Sequence, residues 1–288
     1  MLRAAAQRRG KDGRRVETTD VVVIGGGIVG VCTAHALARR RARVVLLEKA
    51  ALASGASGRS SALIRMHYTN EWDARLAVAS FPTFARWPEV MGAPDIFVRT
   101  GFLNVVAPRY AEHLRRNVAM LQALGVNTRA LSASDVAALQ PFFTVEDVGA
   151  AAYEPDSGYV SPAEAVEGFR RSAEALGAAI RPWTAVTRIR REGDRVTGVS
   201  TPAGELSAGA VVLATGPWSP RLCQELGVDV PVDEVVSGGL GPGEVRLVAD
   251  DQEAAQGHFA QEAHEHGSLP LALAGHQPVG AHLHRALV

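Results

Sequence analysis

Close to the N-terminus, apolar and small residues follow one another in the order strand, helix, strand. The continuous β-branched run Val21–Ile24 predicts a strand that is buried on both faces of a parallel sheet. Ala34, Leu37 and Ala38 recur at helical spacing, which predicts a helix lying flat on that sheet. A second apolar run, Arg43–Leu47, predicts the neighbouring strand. The pattern therefore predicts a β-α-β unit.

The predicted turn between the first strand and the helix carries glycine at the three positions of G-x-G-x-x-G, Gly25, Gly27 and Gly30. In such turns the first glycine bends the chain, the second lets the backbone approach a pyrophosphate, and the third permits close helix–strand packing. The helix start then presents N–H groups to the phosphates. Glu48, at the end of the second strand, can accept hydrogen bonds from ribose hydroxyls. These features predict an adenine dinucleotide site, with an ordinary glycine-rich turn as the alternative.

Further along the chain, the hydrophobic pattern predicts a helix, a small inserted lobe and a return to the first sheet. The predicted elements before the return are a helix over Thr69–Trp87, a hairpin over Ile96–Ala107 that turns at Arg99-Thr100-Gly101, a helix over Tyr110–Leu124 stopped by Gly125, and a short helix capped by Ser132 or Ser134 and running to Leu139. The hairpin and the two helices after it predict a small separate lobe.

The return to the first sheet begins with Ser161-Pro162-Ala163-Glu164, a capping box that predicts a helix running to Gly177. The strands predicted after it are Val186–Arg191, Arg195–Thr201, Glu205–Ser207 and Val211–Ala214. Because the last of them runs into Thr215-Gly216-Pro217-Trp218, it is expected to bring a second glycine turn to the sheet edge that carries Gly25–Gly30.

Composition narrows the classes of function. The 288 residues carry 30 basic and 30 acidic side chains, and this balance argues against nucleic acid as the partner. Two cysteines offer no disulfide framework and favour a reducing, cytoplasmic location. No apolar run is long enough to span a membrane.

The two ends of the chain differ in character from the rest. Residues 1–19 are basic and predict a disordered extension. Residues 233–288 hold six of the nine histidines and predict an atypical, poorly ordered segment, which a frameshift or truncation explains better than a natural tail. His264 and His266 lack a second ligand pair, so no metal site is expected. Between the ends, residues 20–95 and 152–232 are expected to form one discontinuous domain, and 96–151 the lobe.

Four segments together resemble the FAD-dependent amine and amino-acid oxidoreductases of the D-amino-acid oxidase, glycine oxidase and sarcosine oxidase group. They are GGGIVG with Glu48-Lys49, then SGASGRSSALIR, then Glu154–Val160, and finally VVLATGPWS. The resemblance implies an α/β fold: a Rossmann-like FAD-binding domain with a parallel sheet and a three-stranded antiparallel crossover, plus a smaller α+β substrate lobe.

The same resemblance implies which residues contact FAD, by the positions they occupy in the matching segments. These residues are Gly25, Gly27, Ile28, Val29, Gly30, Glu48, Lys49, Ser57, Arg59, Ser60, Ser61, Val186, Ala214, Thr215, Gly216 and Trp218. Arg65 resembles an arginine of the sarcosine oxidases that could hold a substrate carboxylate, although a surface ion pair explains it equally well. His67 could be a base or a covalent flavin anchor, but nothing other than its position supports such a role, and an ordinary polar histidine is the better explanation. No catalytic residue is identified.

The family's reaction is hydride transfer to flavin from the carbon beside an amine nitrogen. The resemblance therefore implies a small amine or amino acid such as sarcosine, glycine or a D-amino acid as substrate. The electron acceptor would be oxygen or a carrier protein, and a partner subunit could complete the pocket. Two alternatives stay open: a non-catalytic FAD-binding fragment or pseudoenzyme, and, with less support, an NAD-dependent dehydrogenase.

Overall fold

The computed structural model describes residues 6–9 and 15–230, which belong to two compact units. The first unit contains residues 6–9, 15–62, 87–96 and 160–230, and the second contains 63–86 and 97–159. Within the described ranges, no helix combines the length and the apolar character needed to cross a bilayer.

The strands and helices alternate along most of the chain. The strands are β1 (Ala6–Arg9), β2 (Arg15–Ile24), β3 (Val44–Leu47), β4 (Leu63–Ile64), β5 (Val98–Arg99), β6 (Phe102–Val106), β7 (Arg129–Leu131), β8 (Ala150–Glu154), β9 (Gly158–Tyr159), β10 (Ala179–Arg181), β11 (Arg188–Glu192), β12 (Arg195–Thr201) and β13 (Gly204–Leu213). The α-helices are α1 (Ile28–Arg39), α2 (Glu71–Ala85), α3 (Trp87–Met91), α4 (Ala111–Ala123), α5 (Ala133–Leu139), α6 (Pro162–Ala175) and α7 (Ser219–Gln224). Short 3₁₀ helices cover Ala56–Arg59, Pro108–Tyr110 and Gly216–Trp218.

The first unit is built on a seven-stranded sheet with the order β10-β3-β2-β13-β12-β11, and β1 pairs with β2 beside this path. The neighbouring strands β10, β3, β2 and β13 are parallel to one another. β12 and β11 extend the sheet beyond β13 with antiparallel pairing. Val22 and Ile24 pack with Val45 and Leu47 in a buried core. This arrangement confirms the α/β fold with a parallel sheet and an antiparallel extension.

Two features of this sheet correct the expectations from sequence. Within the stretch expected to be a disordered extension, residues 6–9 form β1, which pairs with β2, and residues 15–19 form the start of β2, where β13 pairs with Glu17, Thr18 and Thr19. The strands expected at Glu205–Ser207 and Val211–Ala214 are one strand, β13. Its small central residues Ala208, Gly209 and Ala210 hide this continuity in the hydrophobic pattern, but their backbone lies along β2.

The second unit contains two three-stranded antiparallel sheets, β4-β9-β5 and β6-β8-β7. The predicted hairpin over Ile96–Ala107 is wrong, because its two strands, β5 and β6, belong to different sheets. The N–H groups of Thr100 and Gly101 both donate to the carbonyl of Ser157, at 3.2 and 2.8 Å. Gly101 has φ +74°, a left-handed conformation that glycine adopts readily. The chain therefore crosses between sheets at the residues expected to form the turn.

The boundaries of the two units differ from the expected domains. Residues 63–86 and 152–159 lie in the second unit, because β8 is the central strand of one of its sheets and β9 that of the other. Residues 87–96 remain with the first unit, where the Trp87 ring packs at 5.4 Å against Phe169 of α6. The segment 233–288 lies outside the described residues.

The helix ends follow the sequence signals closely. Ser132 caps α5 by accepting from the Asp135 N–H, and the Asp135 carboxylate accepts from the Ser132 N–H in return. The Ser161 hydroxyl accepts from the Glu164 N–H at 3.4 Å at the start of α6. Gly125 follows α4 with φ +84°. These capped helices and the glycine stop were all predicted from local residues.

Candidate functional site

The glycine turn between β2 and α1 is packed so tightly that side chains are excluded. A Cβ at Gly25 would lie 2.3 Å from the carbonyl oxygen of Ala214, and Gly25 also has φ +112°. A Cβ at Gly30 would lie 1.9 Å from the Gly25 carbonyl oxygen. Real Cβ atoms do not approach so closely, so these two positions require glycine. The result is a tight turn without side chains that leads into the start of a helix, which suits a pyrophosphate.

The first turn of α1 is also joined to the loop after β3. The Ile28 N–H donates to the Ser57 hydroxyl at 2.9 Å, and a Cβ at Gly27 would lie 2.9 Å from the same oxygen. Val29 is exposed beside this turn. Since no acidic side chain lies in the first turn, the positive end of the helix dipole is not neutralised by the helix itself.

Glu48 is held in place at the end of β3. One carboxylate oxygen accepts from the Gly26 N–H at 2.7 Å and the other from the Ala50 N–H at 2.8 Å. The side chain is half-buried, and an ionised carboxylate has more acceptor positions than these two bonds use. Glu48 can therefore accept further hydrogen bonds from a neighbouring sugar.

A second bend, formed by Thr215-Gly216-Pro217-Trp218 after β13, lies at the same edge of the sheet as the glycine turn. The Ala214 N–H donates to the Ile24 carbonyl at 2.8 Å, at the point where β13 and β2 end side by side. The Lys49 ammonium lies 4.2 Å from the centre of the Trp218 ring, and a Cβ at Gly55 would lie 3.2 Å from that ring. The ends of β2, β3 and β13 thus meet around one cradle.

The remaining expected cofactor residues occupy several different environments. Thr215 and Gly216 belong to the second bend, where the Thr215 and Ser219 hydroxyls are 2.8 Å apart. Arg59, Ser60 and Ser61 are exposed in the loop that carries Ser57. Val186 is half-buried and packs against the core of the first unit.

Arg65 belongs to the second unit. Its guanidinium donates to the His67 carbonyl and lies 4.6 Å from the centre of the Tyr68 ring. It also lines a groove of about 350 Å³ beside α2, together with apolar side chains such as Leu76, Phe81 and Phe84 and with the Asp73 carboxylate. A guanidinium and a carboxylate against an apolar wall suit a small ligand that carries charges of both signs, such as an amino acid.

The second unit also buries a polar cluster that sequence reasoning missed, formed by His67, Asn104, Glu154 and Ser157. One Glu154 carboxylate oxygen accepts from the Met66 N–H at 3.0 Å and from the Ser157 hydroxyl at 2.7 Å. The other oxygen lies 3.9 Å from Nδ1 of His67. On the far side of the imidazole, Nε2 lies 3.1 Å from the Asn104 amide nitrogen.

Burial controls the ionisation of this cluster. Glu154 is 0% exposed, and burial raises the pKa of its carboxyl, although the Met66 N–H and the Ser157 hydroxyl oppose the rise. His67 is 3% exposed, and burial together with the Arg65 charge lowers its pKa to about 4. His67 is therefore neutral at pH 7. His67 and the segment beginning at Glu154 were each singled out from the sequence, but no local signal joined them.

No thiol or metal chemistry emerges from the described residues. Cys32 and Cys223 are free, and burial raises the pKa of the Cys32 thiol to about 12, which makes it a poor nucleophile. Within residues 6–9 and 15–230, no group of three or more His, Cys, Asp and Glu side chains could hold a metal ion.

Known proteins match most of the chain. The family model for FAD dependent oxidoreductases matches residues 20–240. The chain is 34% identical to 4-methylaminobutanoate oxidase (formaldehyde-forming) of Paenarthrobacter nicotinovorans, over 73% of this chain and 26% of that protein. It is 30% identical to sarcosine oxidase subunit beta of an Arthrobacter species, over 74% of this chain and 55% of the relative.

A solved structure supports the same assignment. L-proline dehydrogenase from P. horikoshii superimposes with a TM-score of 0.69 at 30% identity, covering 74% of this chain and 57% of the other. The chain thus spans about half the length of this enzyme and of the sarcosine oxidase subunit. Since the family model covers residues 20–240, the chain belongs to the DAO family of FAD-dependent oxidoreductases and is related to the sarcosine and glycine oxidases.

Proposed function

We propose that this chain binds FAD along the edge where β2, β3 and β13 end, and that it takes part in oxidising a C–N bond of a small amine or amino acid. The observation that carries the proposal is the close approach of the two bends. Gly25 lies against the Ala214 carbonyl so tightly that a Cβ would be 2.3 Å from its oxygen. In dinucleotide-binding folds the first glycine makes such a tight turn, and the turn brings the backbone of the following residues to the pyrophosphate.

Each part of the cradle has a role in this proposal. The backbone of Gly25, Gly27 and Gly30 and the first N–H groups of α1 bind the pyrophosphate. Glu48 accepts hydrogen bonds from the adenosine ribose, because its two present bonds leave acceptor positions open. The other proposed contacts are Ile28, Val29, Lys49, Ser57, Arg59, Ser60, Ser61, Val186, Ala214, Thr215, Gly216 and Trp218.

When bound, FAD supplies the acceptor for a hydride from the carbon beside the substrate nitrogen. Arg65 orients the substrate by pairing with its carboxylate, since its planar guanidinium has five N–H donors and one of them serves the His67 carbonyl. The Tyr68 ring, 4.6 Å from the guanidinium, limits its movement. Water then hydrolyses the oxidised substrate.

The names of two relatives support a choice of substrate class. One relative is named for 4-methylaminobutanoate and forms formaldehyde, and another is named for sarcosine. Both compounds are N-methylated amino acids with a free carboxylate. We therefore favour a small N-methyl amino acid, for which a single arginine provides the matching charge. Because one relative is a subunit of sarcosine oxidase, a partner subunit is part of the proposal.

Titration of the purified 288-residue chain with FAD tests cofactor binding. Anaerobic addition of sarcosine, 4-methylaminobutanoate, glycine and L-proline then tests which compound reduces the bound flavin. Flavin absorbance that co-purifies with the chain, and bleaches with one of these compounds, supports the whole proposal. Reoxidation in air with formation of hydrogen peroxide would identify oxygen as the acceptor, and reoxidation only by a carrier would indicate a dehydrogenase.

Other outcomes separate the alternatives. FAD binding without bleaching by any substrate, alone or with a partner subunit, favours the non-catalytic FAD-binding chain. Failure to bind FAD, together with binding of NAD, would overturn the proposal in favour of a nicotinamide enzyme.

A further inference from the structure

Trp183 combines a strained backbone with an exposed aromatic side chain. Its φ is +57°, a left-handed conformation that bulky residues rarely adopt. Its side chain is 74% exposed, so packing does not compensate for the strain. Strained residues of this kind persist where the surrounding structure holds them, and they cluster at active sites and ligand sites. Trp183 belongs to the first unit, which also holds the glycine turn.

Three backbone hydrogen bonds attach the segment around Trp183 to the segment around Glu48. The Glu48 N–H donates to the Arg181 carbonyl at 3.0 Å, and the Thr184 N–H donates to the Glu48 carbonyl at 2.7 Å. The Trp183 N–H donates to the Ala50 carbonyl at 3.1 Å. The tryptophan is therefore held beside the residue proposed to bind the ribose.

The order of the strands shows which part of a dinucleotide would meet Trp183. Neighbouring strands β13, β2, β3 and β10 are parallel, so their carboxyl ends lie in a row along one edge. The glycine turn follows β2, Glu48 follows β3, and Trp183 follows β10 two residues after its end. With the pyrophosphate at the glycine turn and the ribose at Glu48, the next group along the row is the base.

We propose that the Trp183 indole stacks on the adenine ring of the bound dinucleotide. This inference rests on the proposed function, because it takes the position of adenine from the positions assigned to the pyrophosphate and the ribose. A flat indole offers its face to a flat base, and every base has a π-face on which an aromatic side chain can stack. The left-handed backbone keeps the ring at the surface, where it can cover the base.

The test compares Trp183→Ala and Trp183→Phe with Trp72→Ala in the full-length chain. Trp72 is a matched control, since it is 78% exposed but lies at the start of α2 in the second unit. Equilibrium titration measures binding of FAD and of ADP, which carries adenine without flavin. Trp183→Ala should weaken both ligands about tenfold, within the range that base stacking provides, and Trp183→Phe should restore most of the loss. Trp72→Ala should change neither.

Trp183→Gly separates stacking from a structural role. Glycine adopts φ +57° without steric cost, so the melting temperature of the FAD-free variant should stay at or above that of the wild type. Its affinity for FAD should nevertheless fall like that of Trp183→Ala. A lower melting temperature in step with the lost affinity would make Trp183 a structural residue and overturn the inference.

Two further outcomes have separate meanings. If the wild type binds FAD and Trp183→Ala binds it equally well, the stacking inference fails while the proposed function stands. If the wild type binds neither FAD nor ADP, both fail together.

Discussion

The glycine turn of the first unit and the Glu154 cluster of the second both hold polar groups in defined positions, but they do so by different means. At the turn, backbone atoms approach so closely that only glycine fits at Gly25 and Gly30. In the cluster, side chains provide the contacts: Glu154 and Ser157 are fully buried, and the Glu154 carboxylate accepts from the Ser157 hydroxyl and from the Met66 N–H.

This difference determines how each region responds to change. The turn depends on shape, so one added methyl group breaks it at any pH. The cluster depends on charge, because burial raises the pKa of Glu154 and lowers that of His67. The turn should therefore be sensitive to substitution, whereas the cluster should also be sensitive to pH.

Gly30→Ala should produce the largest effect. Its Cβ would lie 1.9 Å from the Gly25 carbonyl oxygen, so the backbone of the turn must move. We expect a loss of about 3 kcal/mol in the free energy of unfolding and no measurable FAD binding. Urea unfolding and FAD titration measure the two effects.

Gly193→Ala is the control for Gly30→Ala. Gly193 has φ +59° but no neighbour within 4 Å of an added Cβ, so the cost should be about 1 kcal/mol with FAD affinity unchanged. Normal FAD binding by Gly30→Ala would disprove the role assigned to the turn.

The buried ionisable groups of the Glu154 cluster should make the stability of the protein depend on pH. The pKa of His67 falls from 6.5 to about 4 on folding, so the folded state resists its protonation. The stability that depends on neutral His67 is complete above pH 6.5 and is lost as the pH falls towards 4. Lowering the pH from 7 to 5 should remove about 2 kcal/mol of the His67 contribution, at 1.36 kcal/mol per unit below 6.5, while the raised pKa of Glu154 acts in the opposite direction. Urea unfolding at each pH measures this loss.

Replacing His67 and replacing Glu154 should change the slope of the free energy of unfolding against pH in opposite directions. His67→Asn, which is neutral at every pH, should remove that acid sensitivity. The Glu154 pKa is raised, so its contribution is complete at low pH and is lost as the pH rises through the folded pKa. Glu154→Gln should therefore gain stability relative to the wild type as the pH rises. Parallel profiles for the wild type and both variants would contradict the ionisation argument.

Glu48→Gln should weaken FAD about tenfold, because hydrogen bonds to a charged group contribute roughly 1.5 kcal/mol or more. A glutamine cannot accept from both the Gly26 and Ala50 N–H groups, so the ribose acceptor also loses its orientation. Glu205→Gln is a suitable control, since Glu205 forms an exposed ion pair with Arg190 at the other end of β13. Calorimetric titration with FAD distinguishes the two variants.

The smallest effects should come from two serines that accept from N–H groups in the first turn of a helix, one in each unit. Ser57→Ala removes the acceptor of the Ile28 N–H and Ser132→Ala that of the Asp135 N–H, so each should cost about 1 kcal/mol of stability. Only Ser57→Ala should also change FAD affinity, by a few-fold, because only Ser57 lies at the glycine turn. Equal FAD affinities for the two variants would remove Ser57 from the site.

Elements whose signals are local could be predicted from the chain alone. The glycine turn, the capped starts of α5 and α6, and the stop at Gly125 all depend on residues a few positions apart. The continuity of β13 and the crossing at Gly101 were not predictable in this way. Their hydrogen-bond partners lie far away in sequence: β13 pairs with β2, and Gly101 bonds to the Ser157 carbonyl.

The amino-acid sequence by itself determined the α/β pattern, the glycine turn with Glu48, and the family resemblance, because spacing and backbone freedom are properties of neighbouring residues. Only the tertiary structure decided that Glu154 and His67 are buried together and that Trp183 stands exposed beside Glu48. Burial, the pKa shifts it causes and the packing of loop against loop all depend on residues distant in the chain. Their physical origin is the exclusion of water by the folded whole.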